Sequence, residues 1–185
     1  MRALPDVTVL APGDLVEAEC ATKAIYEQKG TCYLRLGRGG EKRIHEKLDN
    51  FEIGKAIEIS KGSKVAVFST GAIFDEVFEA CENLKEQGII PTVYTFPTVK
   101  PIDAETIVKC AREHKTIITV EEHNLSGGFG SAVAEVIAEI DGEKAKLVRV
   151  GLTDKYSCIV GSQKYLRKQY SIDAKTIEQK IKENW

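Results

Sequence analysis

VAVFSTGAIFDEVFEACENLKEQGIIPTVYTF, residues 65–96, decides the fold. Val65-Ala66-Val67-Phe68 is a short, wholly apolar run of the kind that forms a strand covered on both faces. Over 73–86 the apolar residues Phe74, Val77, Phe78, Cys81 and Leu84 fall at helical spacing, and Gly88 closes the helix. A second strand-like run follows, from Pro91 to Phe96. The pattern then repeats downstream. Residues 103–113 read as a helix with Ile107, Val108 and Ala111 inward, and Thr116 to Val120 as a strand. Gly127-Gly128 opens a helix with Phe129, Ala132, Val133, Val136, Ile137 and Ile140 on one face. Leu147 to Val150 is the last strand, and short helices follow near 161–169 and 173–183. Pro97 and Pro101 bracket a turn. Alternating strand and helix predicts an α/β protein: a mostly parallel sheet with helices on both faces.

Upstream of that stretch, residues 6–38 form a separate strand–helix–strand pattern. Val7 to Leu10 is a strand ended by Pro12-Gly13. Asp14 stands at a helix N-cap with Glu17 in the capping-box position. Leu15, Ala18, Ala21, Ala24 and Ile25 form the apolar stripe, and Lys29-Gly30 stops the helix. Tyr33 to Leu36 is the next strand, followed by the loop Gly37-Arg38-Gly39-Gly40. One crossover unit is smaller than the roughly 40 residues that sustain a core of their own, so its apolar side needs another surface. Either it extends the sheet that follows, or it is the remnant of another α/β domain whose remainder precedes Met1. The expected division is a domain tail over 1–40, a linker with a short strand over 41–61, and an α/β domain over 62–185.

Composition narrows the function. With 26 Lys+Arg against 28 Asp+Glu the net charge is −2, which gives no basic face for nucleic acid. No apolar stretch approaches the ~20 residues of a membrane span, and Pro5 and Asp6 interrupt any secretory segment at the start. A cytoplasmic protein is expected, with neither nucleic acid nor membrane as partner. The five cysteines are widely spaced with no CxxC, so they predict free packing thiols in a reducing compartment and no metal site.

Few residues offer chemistry. Arg38 lies beyond the carboxyl end of a strand, where ligands gather in parallel α/β sheets, and can grip a phosphate through two parallel N–H groups. A surface arginine in an exposed turn fits the same pattern. Arg35, three residues earlier, points to the opposite face of a regular strand. The stretch Glu121-Glu122-His123-Asn124-Leu125-Ser126-Gly127-Gly128-Phe129-Gly130 runs from a strand into a helix start that suits an anion. It lacks a G-x-G-x-x-G or P-loop pattern, and its two glutamates oppose a phosphate; close strand–helix packing is the better reading. His123 is a base or a loop hydrogen-bonder. His45 and His114 read as solvated surface, as does the basic face from Lys164 to Lys168 with Arg167. Asp75-Glu76 reads as favourable charge in a first helical turn. Asp154 belongs to the same sheet edge as His123. No catalytic set, metal cluster or cofactor cradle can be assembled from these residues.

Arg2-Ala3-Leu4-Pro5-Asp6-Val7-Thr8-Val9-Leu10-Ala11-Pro12-Gly13-Asp14 resembles a passage in the pyrimidine-binding domain of transketolases. Tyr33 to Arg38 is similar to the strand that ends that domain. Val65 to Gly71, Val120 to His123 with Gly127 to Gly130, and Gly151 to Asp154 are similar to the family's C-terminal domain. The wider group includes 1-deoxyxylulose-5-phosphate synthases and 2-oxoacid dehydrogenase beta subunits. The resemblance implies part of a homodimeric enzyme of the pentose phosphate pathway. Such enzymes use thiamine diphosphate and Mg²⁺ to move a two-carbon ketol unit between sugar phosphates. It further implies that an N-terminal half holds the cofactor, so that this chain alone is inactive and binds none. Only Arg38 matches a family residue that grips substrate, at its phosphate. The alternatives are a section of a related thiamine-diphosphate enzyme, a protein-binding or regulatory module, or an independent nucleotide-binding domain.

Overall fold

The computed structural model describes residues 1–185 and holds two sheets. The larger has the order β3-β5-β4-β7-β8, built from Ile57–Ser60 (β3), Val65–Thr70 (β4), Thr92–Thr95 (β5), Thr116–Asn124 (β7) and Lys146–Leu152 (β8). β4 runs parallel to β5 and β7, and β7 to β8, while the edge strand β3 is antiparallel to β5. Alternation along β4 divides the core. Val65 and Val67 face Phe74–Lys85 (α2) and Ala174–Glu183 (α6), with Phe74, Val77, Leu84, Ile177 and Ile181 fully buried. Ala66 and Phe68 face Ala104–Glu113 (α3) and Phe129–Ala138 (α4), through Ile107, Phe129 and Val133. Each fully buried side chain of this size contributes about 1.5–3 kcal/mol. The expected α/β architecture is present, helices on both faces of a mostly parallel sheet.

The smaller sheet has the order β2-β1-β6. Val7–Leu10 (β1), Leu15–Glu27 (α1) and Thr31–Leu34 (β2) make the parallel crossover, with Val7 opposite Thr31. Its third strand, Thr98–Lys100 (β6), pairs antiparallel with β1 across a bulge. The sequence reads that segment as a turn between prolines; it becomes a strand because a partner some ninety residues upstream (Leu10↔Thr98) supplies the hydrogen bonds. Backbone contacts also fasten the end of β1 to the main sheet. The Ala11 amide donates to the Pro97 carbonyl and the Gly71 amide to the Ala11 carbonyl, each at 2.8 Å. The small unit therefore sits across the carboxyl ends of β4 and β5.

Three local expectations need correcting. β2 begins at Thr31, two residues before the expected Tyr33. In α1 the buried residues are Val16, Glu17 and Ala21, and Leu15 is exposed, because the helix turns its polar Glu17 inward. Phe78 and Val108 reach solvent at the rims of their helices. Cys110 is buried, Cys20, Cys32 and Cys81 are half-buried and Cys158 is exposed, all as free thiols. Burial pushes the Cys81 thiol up to about 12 and the Cys110 thiol to about 11, where they stay protonated and unreactive. No helix is long and apolar enough to cross a membrane.

Candidate functional site

The Arg38 loop leaves β2 and crosses the start of α1. Arg38 is exposed and lines a cavity of about 220 Å³ with Pro12, Asp14, Leu15, Glu41 and Ala72. Seven arginines occupy the chain, and the other six hydrogen-bond to a carboxylate, a carbonyl or a hydroxyl within it. Arg38 has no such bond and no carboxylate within ion-pair distance. Its five N–H donors are all available to a ligand, and a guanidinium presents them in a plane that matches phosphate oxygens. Arg35 turns the other way, donating to the Glu122 carbonyl at 3.0 Å and lining a separate cavity.

Asp14 and Glu17 organise the ground beneath that loop. Asp14 Oδ1 accepts from the Glu17 amide at 2.8 Å, making Asp14 the N-cap of α1 as expected. Its Oδ2 accepts from the Ile44 amide at 2.9 Å and the His45 amide at 2.8 Å, so one carboxylate fastens both the helix and the returning loop. Glu17 departs from the capping box. Its Oε2 accepts from the Gly13 amide and its Oε1 from the Thr95 hydroxyl, each at 2.6 Å, with the side chain fully buried.

His45 completes this group, and the reading of it as solvated surface is overturned. Its side chain is 10% exposed, with Nδ1 3.1 Å from Asp14 Oδ2 and Nε2 3.8 Å from Glu17 Oε1. The ring packs on Phe74 at 5.7 Å. Burial favours a neutral ring, but Asp14 and then Glu17 outweigh it and raise the His45 pKa. Burial likewise opposes charge on Asp14, yet the His45 ring and three amide donors hold that carboxyl at about 2. Burial wins at Glu17 and raises its pKa despite Thr95, Gly13 and His45. The ligand-type atoms of the three side chains lie within 4.8 Å of one another. The carboxylates already accept from amides and a hydroxyl, and each ring nitrogen faces a different carboxylate. A doubly protonated imidazolium satisfies that arrangement better than one metal ion does.

A larger cavity, about 400 Å³, lies between the two sheets at the carboxyl ends of β4 and β7. Arg2, Tyr33, Arg35, Thr70, Glu121, His123 and Gly128 line it. Its helix start is already occupied by the protein's own anion. Glu121 Oε2 accepts from the Phe129 amide at 2.7 Å and Oε1 from the Gly130 amide at 2.8 Å. Glycine is required there: a Cβ on Gly128 would collide with Glu121 Oε2, and one on Gly130 would stand 2.7 Å from Thr119 Oγ1. Close strand–helix packing is therefore what the glycines serve. Burial pushes the Glu121 pKa up even though the Gly130 and Phe129 amides pull it down. This chain's residues do not fit a cofactor diphosphate at that helix start.

His123 is half exposed, its Nδ1 2.8 Å from the Asn124 carbonyl, with no nucleophile to serve. Asp154 accepts from Asn124 at 2.7 Å on the same edge, as expected. His114 is a correction: Nε2 lies 2.9 Å from the Thr92 hydroxyl and Nδ1 3.1 Å from the Cys110 carbonyl, tying α3 to β5. Arg167 is another. On Gln163–Gln169 (α5) it is 4% exposed and reaches Asp75 at 2.7 Å, Glu122 at 2.9 Å, the Ala72 carbonyl at 3.1 Å and Glu76 at 3.3 Å. Asp75 and Glu76 thus serve an arginine as well as a first helical turn.

Comparison with known proteins matches residues 54–177 to the family model described as transketolase, C-terminal domain. A Methanocaldococcus jannaschii protein, provisionally named a transketolase C-terminal section, is 37% identical over 99% of this chain and 57% of its own length. A 1-deoxy-D-xylulose-5-phosphate synthase of Heliobacterium modesticaldum is 34% identical over 99% of this chain and 28% of its own. Among solved structures, a split-gene transketolase described as an inactive beta4 tetramer superposes with a TM-score of 0.88 at 31% identity. It covers 100% of this chain and 59% of that one. The chain thus spans little more than half of the first relative and about a quarter of the second.

Proposed function

The chain belongs to the transketolase family through its C-terminal domain, and from that membership we propose that it is the C-terminal part of a thiamine-diphosphate-dependent transketolase. It pairs with an N-terminal half that holds thiamine diphosphate and Mg²⁺, and the complete enzyme, a dimer of such pairs in the cytoplasm, moves a two-carbon ketol unit between sugar phosphates. The observation that carries this reading is the extent of the likeness to the split-gene protein. It covers the crossover unit and the Arg38 loop as well as the domain that follows. An edge strand, β2, with exposed Thr31 and Tyr33 is left open for further strands from the partner half.

In this reading the bound cofactor supplies the carbanion-stabilising chemistry, and this chain supplies none of the groups that take part in it. Its contribution is position. Arg38 donates two parallel N–H bonds to the substrate phosphate and so fixes how far the sugar reaches toward the reacting carbon. The 34% identity to a 1-deoxyxylulose-5-phosphate synthase supports a second reading, the equivalent section of that enzyme.

The test is reconstitution. The chain is combined with the cofactor-binding half, thiamine diphosphate and Mg²⁺, and assayed with xylulose 5-phosphate as donor. Ketol transfer by the pair and none by the chain alone is the expected result. Turnover by the 185 residues alone would overturn it, and formation of 1-deoxyxylulose 5-phosphate by the pair would favour the second reading.

A further inference from the structure

We propose that His45 is a positioning residue for Arg38: set between Asp14 and Glu17, it fastens the loop that follows β2 onto the start of α1 and so fixes where the Arg38 guanidinium stands. The proposal rests on the reading of Arg38 as the phosphate contact. Between Leu34 and Ile57 the chain has no helix or strand, so nothing regular holds the loop. Its anchor is local. The Ile44 and His45 amides both donate to Asp14 Oδ2, Ile44 packs on the main core, and the His45 ring lies on Phe74. Asp14 also lines the Arg38 cavity, so the anchor and the guanidinium share one wall.

The anchor needs a cation. The Asp14 and Glu17 side chains are wholly removed from water and stand on the same first turn of α1. Two such carboxylates repel unless one is protonated or a positive group lies between them. His45 is the only basic side chain at ion-pair distance from either. The elements packed around the ring add no other charge: α1 brings Asp14 and Glu17, α2 brings apolar Phe74, and β5 brings the Thr95 hydroxyl, already given to Glu17. Neither ring nitrogen makes a hydrogen bond inside the chain, so the ring meets the two carboxylates through charge alone. Protonated, the ring offers one N–H toward each carboxylate; neutral, it leaves one carboxylate facing a lone pair.

The sign of the pH dependence follows. A histidine whose pKa is raised on folding gives its full stabilisation below the unfolded value near 6.5, and loses it as pH rises through the folded value. Asp14, held at about 2, stays charged throughout that range. The loop is therefore held most firmly below the unfolded value and loosens as pH rises through the folded one.

Hydrogen exchange on the intact chain tests this, with amide protection of Ile44 and His45 followed from pH 6 to 9 and corrected for intrinsic rates. Wild type is expected to lose protection as pH rises. His45→Gln should exchange about tenfold faster at pH 6, from loss of the charge set between the two carboxylates, and show a flat profile. Glu17→Gln removes one of the two charges that raise the His45 pKa and should move the wild-type transition to lower pH. Circular dichroism checks that each variant remains folded. Flat wild-type protection that His45→Gln leaves unchanged would overturn the proposal. So would a His45→Gln chain that no longer folds combined with an unmoved Glu17→Gln transition. In the reconstituted enzyme His45→Gln should raise KM for the phosphorylated acceptor about tenfold with kcat kept. If Arg38→Ala raises KM and His45→Gln does not, the positioning role fails while the Arg38 reading stands. If Arg38→Ala leaves KM unchanged, the Arg38 reading fails and takes the positioning role with it.

Discussion

Replacing Arg167 with methionine tests whether the carboxyl edge of the main sheet is held by charge. The guanidinium bridges α5, the start of α2 and the end of β7, donating to Asp75, Glu76, Glu122 and the Ala72 carbonyl. Methionine fills most of the volume but leaves three carboxylates together, with side-chain exposures of 27%, 10% and 25%. Breaking a buried pair in this way costs about 3–5 kcal/mol. Asp75 and Glu122 regain some water, which places the expected loss near 3 kcal/mol. For a chain of this length that lowers Tm by roughly 6–12 °C. Burial already raises the Asp75 pKa, with Arg167 pulling it back, so removing the arginine lets the Asp75 carboxyl take up a proton more readily in the folded state. The deficit should therefore shrink as pH falls from 7 to about 4.5. Urea denaturation followed by circular dichroism measures both effects without the screening that guanidinium chloride brings. Arg167→Lys should lie between the two, keeping charge but losing the fork. A methionine variant within about 1 kcal/mol of wild type, or a deficit independent of pH, would refute the reasoning and reduce Arg167 to packing.

Arg38→Ala in the reconstituted enzyme should cost about 2–4 kcal/mol of phosphorylated-substrate binding, roughly a 30- to 900-fold rise in KM. Steady-state kinetics with kcat largely retained is the expected outcome, and a small change returns Arg38 to an exposed turn. Glu121→Ala should destabilise the chain by about 1–3 kcal/mol and uncover the Phe129 and Gly130 amides. Millimolar sulfate should then raise the Tm of the variant but not of wild type, since only the variant has an empty helix start. Arg2→Met removes a bidentate pair to Glu135, which is 63% exposed, and should cost under about 1 kcal/mol, vanishing in 1 M salt.

The main sheet was readable because each strand and helix announces its own period. Val65 to Phe68 is apolar throughout, and the stripes of α2, α3 and α4 recur at three and four residues. β6 was not readable, since Thr98 to Lys100 has no pattern of its own and exists through β1. Buried charge was missed for a related reason. Composition treats His45, Glu17 and Arg167 as surface residues, whereas each is paid for by a partner that only the fold brings near. Two of them left a trace. Glu17 stands between Val16 and Ala21 on one face of α1, four residues before the buried alanine, and Arg167 sits beside Leu166 and three residues before Tyr170. A charge on an inward face must find a buried counter-charge. His45 left only the apolar Ile44 before it. The direction of Arg38 could be read from its loop, but its lack of any partner could not.

That lack gains meaning from the rest of the edge. The carboxyl end of the main sheet gathers Asp14, Glu17, Asp75, Glu76, Glu121 and Glu122, a strongly acidic set to place beside a phosphorylated substrate. Most of that charge is neutralised in place. Arg167 answers Asp75, Glu76 and Glu122; two amides answer Glu121; His45 and the surrounding amides answer Asp14 and Glu17. Arg2 bonds to Glu135, and Arg35 to a carbonyl. Once these pairings are made, the arginine left without a bond inside the chain is Arg38, on a glycine-flanked loop. An edge that cancels its own acids and leaves one guanidinium free is suited to a single anion at a single place. Weakening any of the pairings should therefore cost affinity for a phosphate as well as stability. The methionine variant at Arg167, which restores two to three negative charges behind Ala72 on the wall of the Arg38 cavity, should bind inorganic phosphate more weakly than wild type even at temperatures where it remains fully folded.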